Sequence, residues 1–297
     1  MKIALMDVDN FQKEAKFPNL ALMKLSAYHK AKGDDVEWYD TMRFFDPYDV
    51  LYKSKVFDFS AEPNIQLYAN EIHQGGCAYD LQNRLPDEVE HMMPDYSLYN
   101  VKNTAYGFLT RGCPRGCSFC NVQEHQGKQS LKVADLSEFW DGQKEIKLLD
   151  PNITACRHWE ELFYQLIDSK AKIDFTQGID IRTMTEEKQQ MLNQMNLKML
   201  HFAWDNYEMN TYEKLKQFRK NFKLIGRNLT VYVLTNYNTT TEQDLERLYK
   251  LRELDYTPYV MIYDKIHADT IHKRMARWVN NRFIWHPCKR FEDYMSA

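Results

Sequence analysis

No run of apolar residues in this chain approaches the roughly 18 that a bilayer-spanning helix needs, so no transmembrane helix is expected. The opening stretch, MKIALMDVDN, carries a lysine but then breaks into aspartates, unlike a signal peptide. A basic excess is also missing. Thirty-nine Lys and Arg against 42 Asp and Glu leave a formal net charge of −3. That balance excludes a dedicated nucleic-acid coat or a polybasic membrane binder, while leaving room for a local basic patch. There is no short-period repeat and no low-complexity tract, and cysteine is sparse, six residues in 297. These absences point to a cytoplasmic globular protein. Thiols stay reduced in that compartment, so cysteines that cluster point to a metal or to catalysis before disulfides.

What is present suits a packed α/β protein. Apolar residues make up 44% and charged residues 27%, which is ordinary for a chain that buries a core. The length fits two domains, or one barrel-like α/β unit with an extension. Short apolar, β-branched runs recur at AYGFLT (105–110), EIKLLD (145–150), IDFTQG (173–178), LKMLHFAW (197–204), LTVYVLT (229–235) and PYVMIYD (258–264). Their spacing is that of a strand plus a crossover helix and two loops. The intervals are helical in pattern. Trp159, Leu162, Phe163, Leu166 and Ile167 share one face. TEEKQQMLNQM (185–195) behaves similarly, and Thr241 with Asp244 three residues on marks another helix start. Strand–helix units in series imply a parallel sheet, open or curled into part of a barrel.

Ahead of them, KIALMDVD, the helix-like NLALMKLSAYHKAKG, DVEWYD and DVLYKSKVFDF form a small β-α-β-β pattern. Residues 71–100 have little periodicity and are expected to be a connection, with a domain boundary near residue 103. Parallel α/β architectures place their chemistry at the carboxyl ends of the strands. The residues at those positions are polar throughout: Arg111 and Cys113, Asp150 and Asn152, Gln177 and Asp180, Asp205 and Asn206, Asn236, and Asp264 and Lys265.

Half of the cysteines fall in one decapeptide, RGCPRGCSFC (111–120). Cys113, Cys117 and Cys120 have the spacing C-x3-C-x2-C, and thiolates in a tight loop suit soft metals and iron–sulfur clusters. Gly112 and Gly116 are expected to permit positive φ and to turn backbone N–H groups toward sulfur. Arg111 and Arg115 can offset the negative charge of thiolates. Three ligands on a four-iron cubane leave one iron open. Structural zinc is the alternative, with His125 as a fourth ligand. Cys77, Cys156 and Cys288 are scattered and are expected to be lone thiols, Cys156 being near the rim after the second strand.

On these residues the chain resembles the radical S-adenosylmethionine (radical SAM) superfamily, whose signature C-x3-C-x-aromatic-C follows the first strand of a partial (βα)6 barrel; Phe119 supplies the aromatic. The resemblance covers roughly residues 104 to 265 and implies a core over 104–297, preceded by a small Rossmann-like region over 1–103. It implies that Cys113, Cys117 and Cys120 ligate a 4Fe-4S cluster, that the open iron chelates S-adenosylmethionine, and that a reductant such as a flavodoxin or ferredoxin supplies the electron. Asp150 and Asn152 stand where the superfamily places a short acidic stretch, near the Asp-Asp-Asn variant of cobalamin-associated members. Gln177, Arg182, Trp204 and Asp205 are further candidates for cofactor contacts. The glycine-rich stretch after the fifth strand is not evident in VLTNYN.

The amino-terminal region resembles the cobalamin-binding domains fused to such enzymes, but DVDNFQ lacks the cobalt-ligating histidine and the glycine of their D-x-H-x-x-G signature. A degenerate relative without cobalamin is therefore expected. Methylthiotransferases are similar in domain order, but their amino-terminal domain supplies three cysteines for a second cluster, whereas this region has Cys77 alone; no RNA-binding domain is seen after residue 265. The carboxyl tail mixes basic residues with Trp278, Phe283 and Trp285. It is expected to form an amphipathic cap on the barrel that can also touch a phosphate-containing substrate.

Overall fold

The computed structural model describes residues 1–11, 17–207, 210–224 and 226–296. Two compact units divide at Ile146/Lys147. Gln12, which ends the DVDNFQ stretch, lies outside the described residues.

Alternation builds the first sheet. Along β1 (Lys2–Asp7), Ile3 and Leu5 point to one face and Ala4 and Met6 to the other, because side chains alternate along a strand. Ile3 and Leu5 pack with Leu22 and Leu25 of α1 (Leu20–Ala31), whereas Ala4 and Met6 pack with Tyr39, Tyr48 and Leu51. Asn19 caps α1 by accepting from Leu22 N at 3.2 Å. Next come β2 (Asp35–Trp38), β3 (Tyr48–Ser54) and β4 (Ala69–Gly75), all parallel, in the order β2-β1-β3-β4. The stretch read as a plain connection thus begins with part of a strand. β4 is an exposed edge with no residue fully buried, so it carries no alternation of apolar and polar residues to betray it.

The rest of the first unit frames the cysteine segment. α2 (Asp87–Glu90) precedes β5 (Thr104–Gly107) and β6 (Thr110–Arg111). After α3 (Val122–Gln126), β7 (Leu131–Lys132) returns antiparallel to β6. β8 (Glu145–Leu148) begins in this unit, where Glu145 N donates to Asn103 O at 3.0 Å.

The second unit opens with the end of β8 and alternates regularly: α4 (Trp159–Ser169), β9 (Lys172–Phe175), α5 (Glu186–Gln194), β10 (Leu197–Ala203), α6 (Thr211–Lys220), β11 (Leu229–Thr235), α7 (Thr241–Glu253) and β12 (Thr257–Ile262). Strands β9 to β12 pair in sequence order, all parallel, as strand–helix–strand crossovers require. The expected α/β class with parallel sheets is observed. Leu162, Phe163 and Leu166 form the buried stripe of α4. On α7 the cap is one residue earlier than the sequence suggests: Thr240 and Gln243 form a reciprocal capping box, with Thr240 Oγ1 accepting from Gln243 N at 3.3 Å and Gln243 Oε1 accepting from Thr240 N at 3.0 Å. Asp244 is freed from capping and is fully buried instead.

Helices α8 (Thr270–Asn280), α9 (Arg282–Trp285) and α10 (Phe291–Ser296) close the chain. Trp278, Trp285 and Phe291 are buried against one another, and the Arg252 guanidinium lies 3.3 Å from the Trp285 ring centroid. These aromatics are core, not platforms for bases; Phe283 remains exposed. Among the described residues no helix is long and apolar enough to cross a membrane.

Candidate cluster loop and polar sheet face

In the first unit the β6–β7 ladder pairs Thr110 with Lys132 and Arg111 with Leu131, so everything between them is one closed excursion. Cys113 N donates to Gly127 O (3.1 Å) and Cys120 N to Cys117 O (3.0 Å), while Gln123 Nε2 donates to Cys113 O (3.1 Å). Gly112 has φ +83°, and a Cβ there would lie 2.1 Å from Gln129 O. Only glycine fits where two backbone segments approach so closely. Gly116, in contrast, does not have positive φ. Cys113 and Cys117 are half-buried and Cys120 is exposed, so a reagent or cluster can reach all three. Arg115 N points at Cys113 Sγ from 3.5 Å, a backbone donor to sulfur as the motif led one to expect. Phe119 is half-buried in the same loop. Arg111 turns to Glu90 (3.0 Å) and stacks its guanidinium 4.1 Å from the Phe108 centroid.

None of the six cysteines is in a disulfide. Among the described residues no three His, Cys, Asp or Glu side chains gather closely enough to hold a metal ion. The zinc alternative is not assembled: His125 directs Nε2 to Cys77 Sγ (3.2 Å) and Nδ1 to Leu81 O (2.6 Å). Four zinc ligands must all lie about 2.0–2.3 Å from one ion, whereas each thiolate of a cubane binds a different iron. The loop carries three accessible soft donors and a backbone donor to one of the sulfurs.

In the second unit, Asp150 and Asn152 are buried beyond the end of β8. Asn152 Nδ2 lies 3.4 Å from Asp180 Oδ2, and Arg182 grips Asp180 through Nε (2.6 Å) and NH2 (3.2 Å). Lys188 joins this network by donating to Thr154 O (2.9 Å) and Thr183 O (3.0 Å). The expected residues Asn152 and Arg182 are therefore brought together through Asp180. Gln177 stands apart and is exposed. Trp204 is buried with its ring stacked on Tyr212 of α6, so it faces packing. Burial pushes the Asp205 carboxyl up to about 6, with Arg247, a backbone hydrogen bond from Leu234 and Arg182 pulling the other way.

The strands also carry a polar face that the sequence reading missed. Asp174 on β9, His201 on β10 and Tyr232 on β11 meet there. The His201 ring stacks on Tyr232 (5.2 Å, 11°), and its Nε2 lies 3.5 Å from Asp174 Oδ1. Tyr232 OH donates to Thr176 O at 3.1 Å and its ring meets Tyr259 edge-on. Burial pushes the Tyr232 phenol up to about 12. Asp174 Oδ1, Thr176 Oγ1 and His201 Nδ1 are buried without hydrogen-bond partners, a costly state that recurs at functional sites. The signal was present in the strands themselves: I-D-F, L-H-F and V-Y-V each set one polar residue between apolar neighbours, which puts all three on the face opposite the helices.

The chain is similar to a tRNA-2-methylthio-N(6)-dimethylallyladenosine synthase. The match to the protein of that name from Aquifex aeolicus (strain VF5) is 26% identical over 227 residues, 67% of this chain and 50% of the relative. A second, from Sulfurihydrogenibium sp. (strain YO3AOP1), is 26% identical over 149 residues, 46% of this chain and 34% of the relative. The chain thus spans half or less of the length of these curated relatives. No protein-family model matches it. Both relatives are named as methylthio synthases, a class that the sequence alone ranked low because the amino-terminal region has Cys77 alone.

Proposed function

We propose that this chain is a radical S-adenosylmethionine enzyme that acts on tRNA and belongs to the sulfur-inserting kind. What supports the reading is that Cys113, Cys117 and Cys120 sit on one pinned loop, in a chain similar to methylthio synthases named for a tRNA product. Bound by those thiolates, a 4Fe-4S cluster would supply one-electron cleavage of S-adenosylmethionine to methionine and a 5′-deoxyadenosyl radical.

The chain's own residues do the rest. The β6–β7 ladder and the Gly112 approach hold the loop in place. Asp150, Asn152, Arg182 and Asp205, at the strand ends, serve the cofactor's polar groups in this reading, with the β–α alternation from residue 104 onward as the (βα)6 core. The small sheet before it is a helper without cobalamin, since DVDNFQ offers no histidine. A flavodoxin or ferredoxin delivers the electron. The sulfur-inserting class is favoured over rearrangement or methyl transfer by the names of the two relatives.

The test is anaerobic reconstitution with iron and sulfide, reduction with dithionite, and measurement of 5′-deoxyadenosine from S-adenosylmethionine. Brown protein with about four irons per chain and 5′-deoxyadenosine formation are expected. Protein that holds the cluster yet makes no 5′-deoxyadenosine would overturn the proposal.

A further inference from the structure

We propose that Cys77, with His125 as its base, is a nucleophilic thiol that carries a transferable sulfane sulfur. This rests on the sulfur-inserting reading above, because that chemistry needs a sulfur atom and Cys77 lies outside the cluster loop.

The geometry is that of a nucleophile, a base and a group that orients the base. Cys77 follows β4 on a turn that only Gly76 permits: its φ is +98°, and a Cβ there would lie 2.2 Å from Lys55 O. Ala78 N donates to Lys55 O (3.2 Å), and Tyr79 N and Asp80 N both bond Gly76 O (3.0 and 3.2 Å), so the turn is closed on both sides. His125 arrives from α3, 48 positions away in sequence, and sets Nε2 3.2 Å from Cys77 Sγ. Its Nδ1 lies 2.6 Å from Leu81 O, a carbonyl that can only accept. Arg84 NH1 also lies 3.4 Å from Nδ1, but its hydrogens go to the nearer Leu81 and Asn83 carbonyls (2.8 and 2.7 Å), so the short Leu81 contact assigns the hydrogen to Nδ1 and turns Nε2 toward the thiol as the acceptor. Arg84 secures the arrangement by donating to His125 O and to Leu81 O (2.8 Å).

The surroundings suit sulfur transfer. Burial pushes the Cys77 thiol up, while Arg84 and Arg111 oppose this and Asp58 adds to it. Burial favours the thiol over the thiolate at rest, and the proton leaves as the sulfur attacks. The two guanidinium groups favour the negative charge that a terminal persulfide brings. Cys77 is half-buried, so a small donor can reach it.

The step balances without an oxidant. Cys77–SH attacks the outer sulfur of a low-molecular-weight persulfide, R–S–SH; the Sγ–S bond forms as the donor's S–S bond breaks. The thiol proton passes to His125 Nε2 and then to the departing thiolate, leaving Cys77–S–SH and R–SH.

The experiment uses the full chain after anaerobic reconstitution, with glutathione persulfide as the probe. Samples are trapped with iodoacetamide at intervals and each cysteine peptide is scored for the mass of one added sulfur. Cys77 is expected to load faster than Cys288, which is also half-buried but whose Sγ meets only the Arg290 carbonyl among the bonds assigned to it (3.2 Å). His125→Asn should slow loading of Cys77 on the order of a hundredfold, the low end of a general base's contribution, and leave Cys288 as it was. Loading of Cys77 no faster than Cys288, or a His125→Asn rate within about threefold of wild type, overturns the proposal. If His125→Asn does not fold, the comparison of the two thiols within wild type decides. Because peptides report each cysteine separately, a chain that makes no 5′-deoxyadenosine but loads Cys77 refutes the radical reading alone.

Discussion

Replacing Arg247 with methionine should be among the most damaging single changes in the second unit. Arg247 and Asp244 are both fully buried on α7. The guanidinium donates to Asp244 Oδ1 (2.5 Å), to Leu234 O at the end of β11 (2.7 Å) and to Trp204 O just after β10. Methionine keeps most of the volume and removes all three bonds. Asp244 is then left with Asn236 N at 3.4 Å and His272 Nε2 at 3.3 Å, the latter without hydrogen-bond alignment. Breaking a buried pair by removing one partner costs about 3–5 kcal/mol, because the other charge stays buried. Domains are stable by only about 5–15 kcal/mol, so from about a fifth to the whole of that stability is at stake. At roughly 2–4 °C per kcal/mol for a unit of this size, the midpoint of thermal unfolding should fall by about 6–20 °C. Urea and heat unfolding followed by far-UV circular dichroism give both quantities. The double variant Arg247→Met/Asp244→Leu should recover most of the loss, since an apolar pair in place of a buried ion pair is often neutral. A single variant that costs less than about 1 kcal/mol, or a double variant no better than the single, would refute the argument that an uncompensated buried carboxylate dominates.

Other outcomes follow from the same physics. Cys117→Ala should abolish iron retention while the far-UV spectrum and unfolding midpoint stay near wild type, because the ligand sits in a loop; loss of the fold together with the iron would show that the loop is structural. Gly112→Ala forces a Cβ to 2.1 Å from Gln129 O at φ +83°; it should cost more than the roughly 1–2 kcal/mol of a left-handed residue and weaken iron retention, and wild-type iron content would count against the close approach. For Asp205, the folded pKa near 6 exceeds its unfolded value of 3.8. The native state therefore holds more protons between these limits, and its stability falls as pH rises through that window. Asp205→Asn should then gain over wild type at pH above 6 and gain nothing below pH 4, as read from urea midpoints; an equal change at both would sink the assignment to burial.

Strand spacing, the α4 stripe and the cysteine triplet could be read along the chain because each is a local pattern. Apolar residues at a period of two or near 3.6 mark the elements whichever neighbours they meet. Three thiols within eight positions must share a loop, since the chain between them is too short to part them far. The edge strand β4 escaped because it buries no face, and the cap of α7 was misplaced by one because three threonines in a row offer the same chemistry until Gln243 selects one of them.

Partners distant in sequence were decided by the fold. His125 could equally have been a zinc ligand on spacing alone; packing 48 residues apart gives it Cys77 instead. Asp174, His201 and Tyr232 come from three strands and meet only when parallel pairing sets their register. Asp244 looked like a helix cap and became half of a buried ion pair with Arg247. The physical reason is the same in each case: the free energy of a buried polar group depends on what folding places beside it, and no local pattern encodes that neighbour.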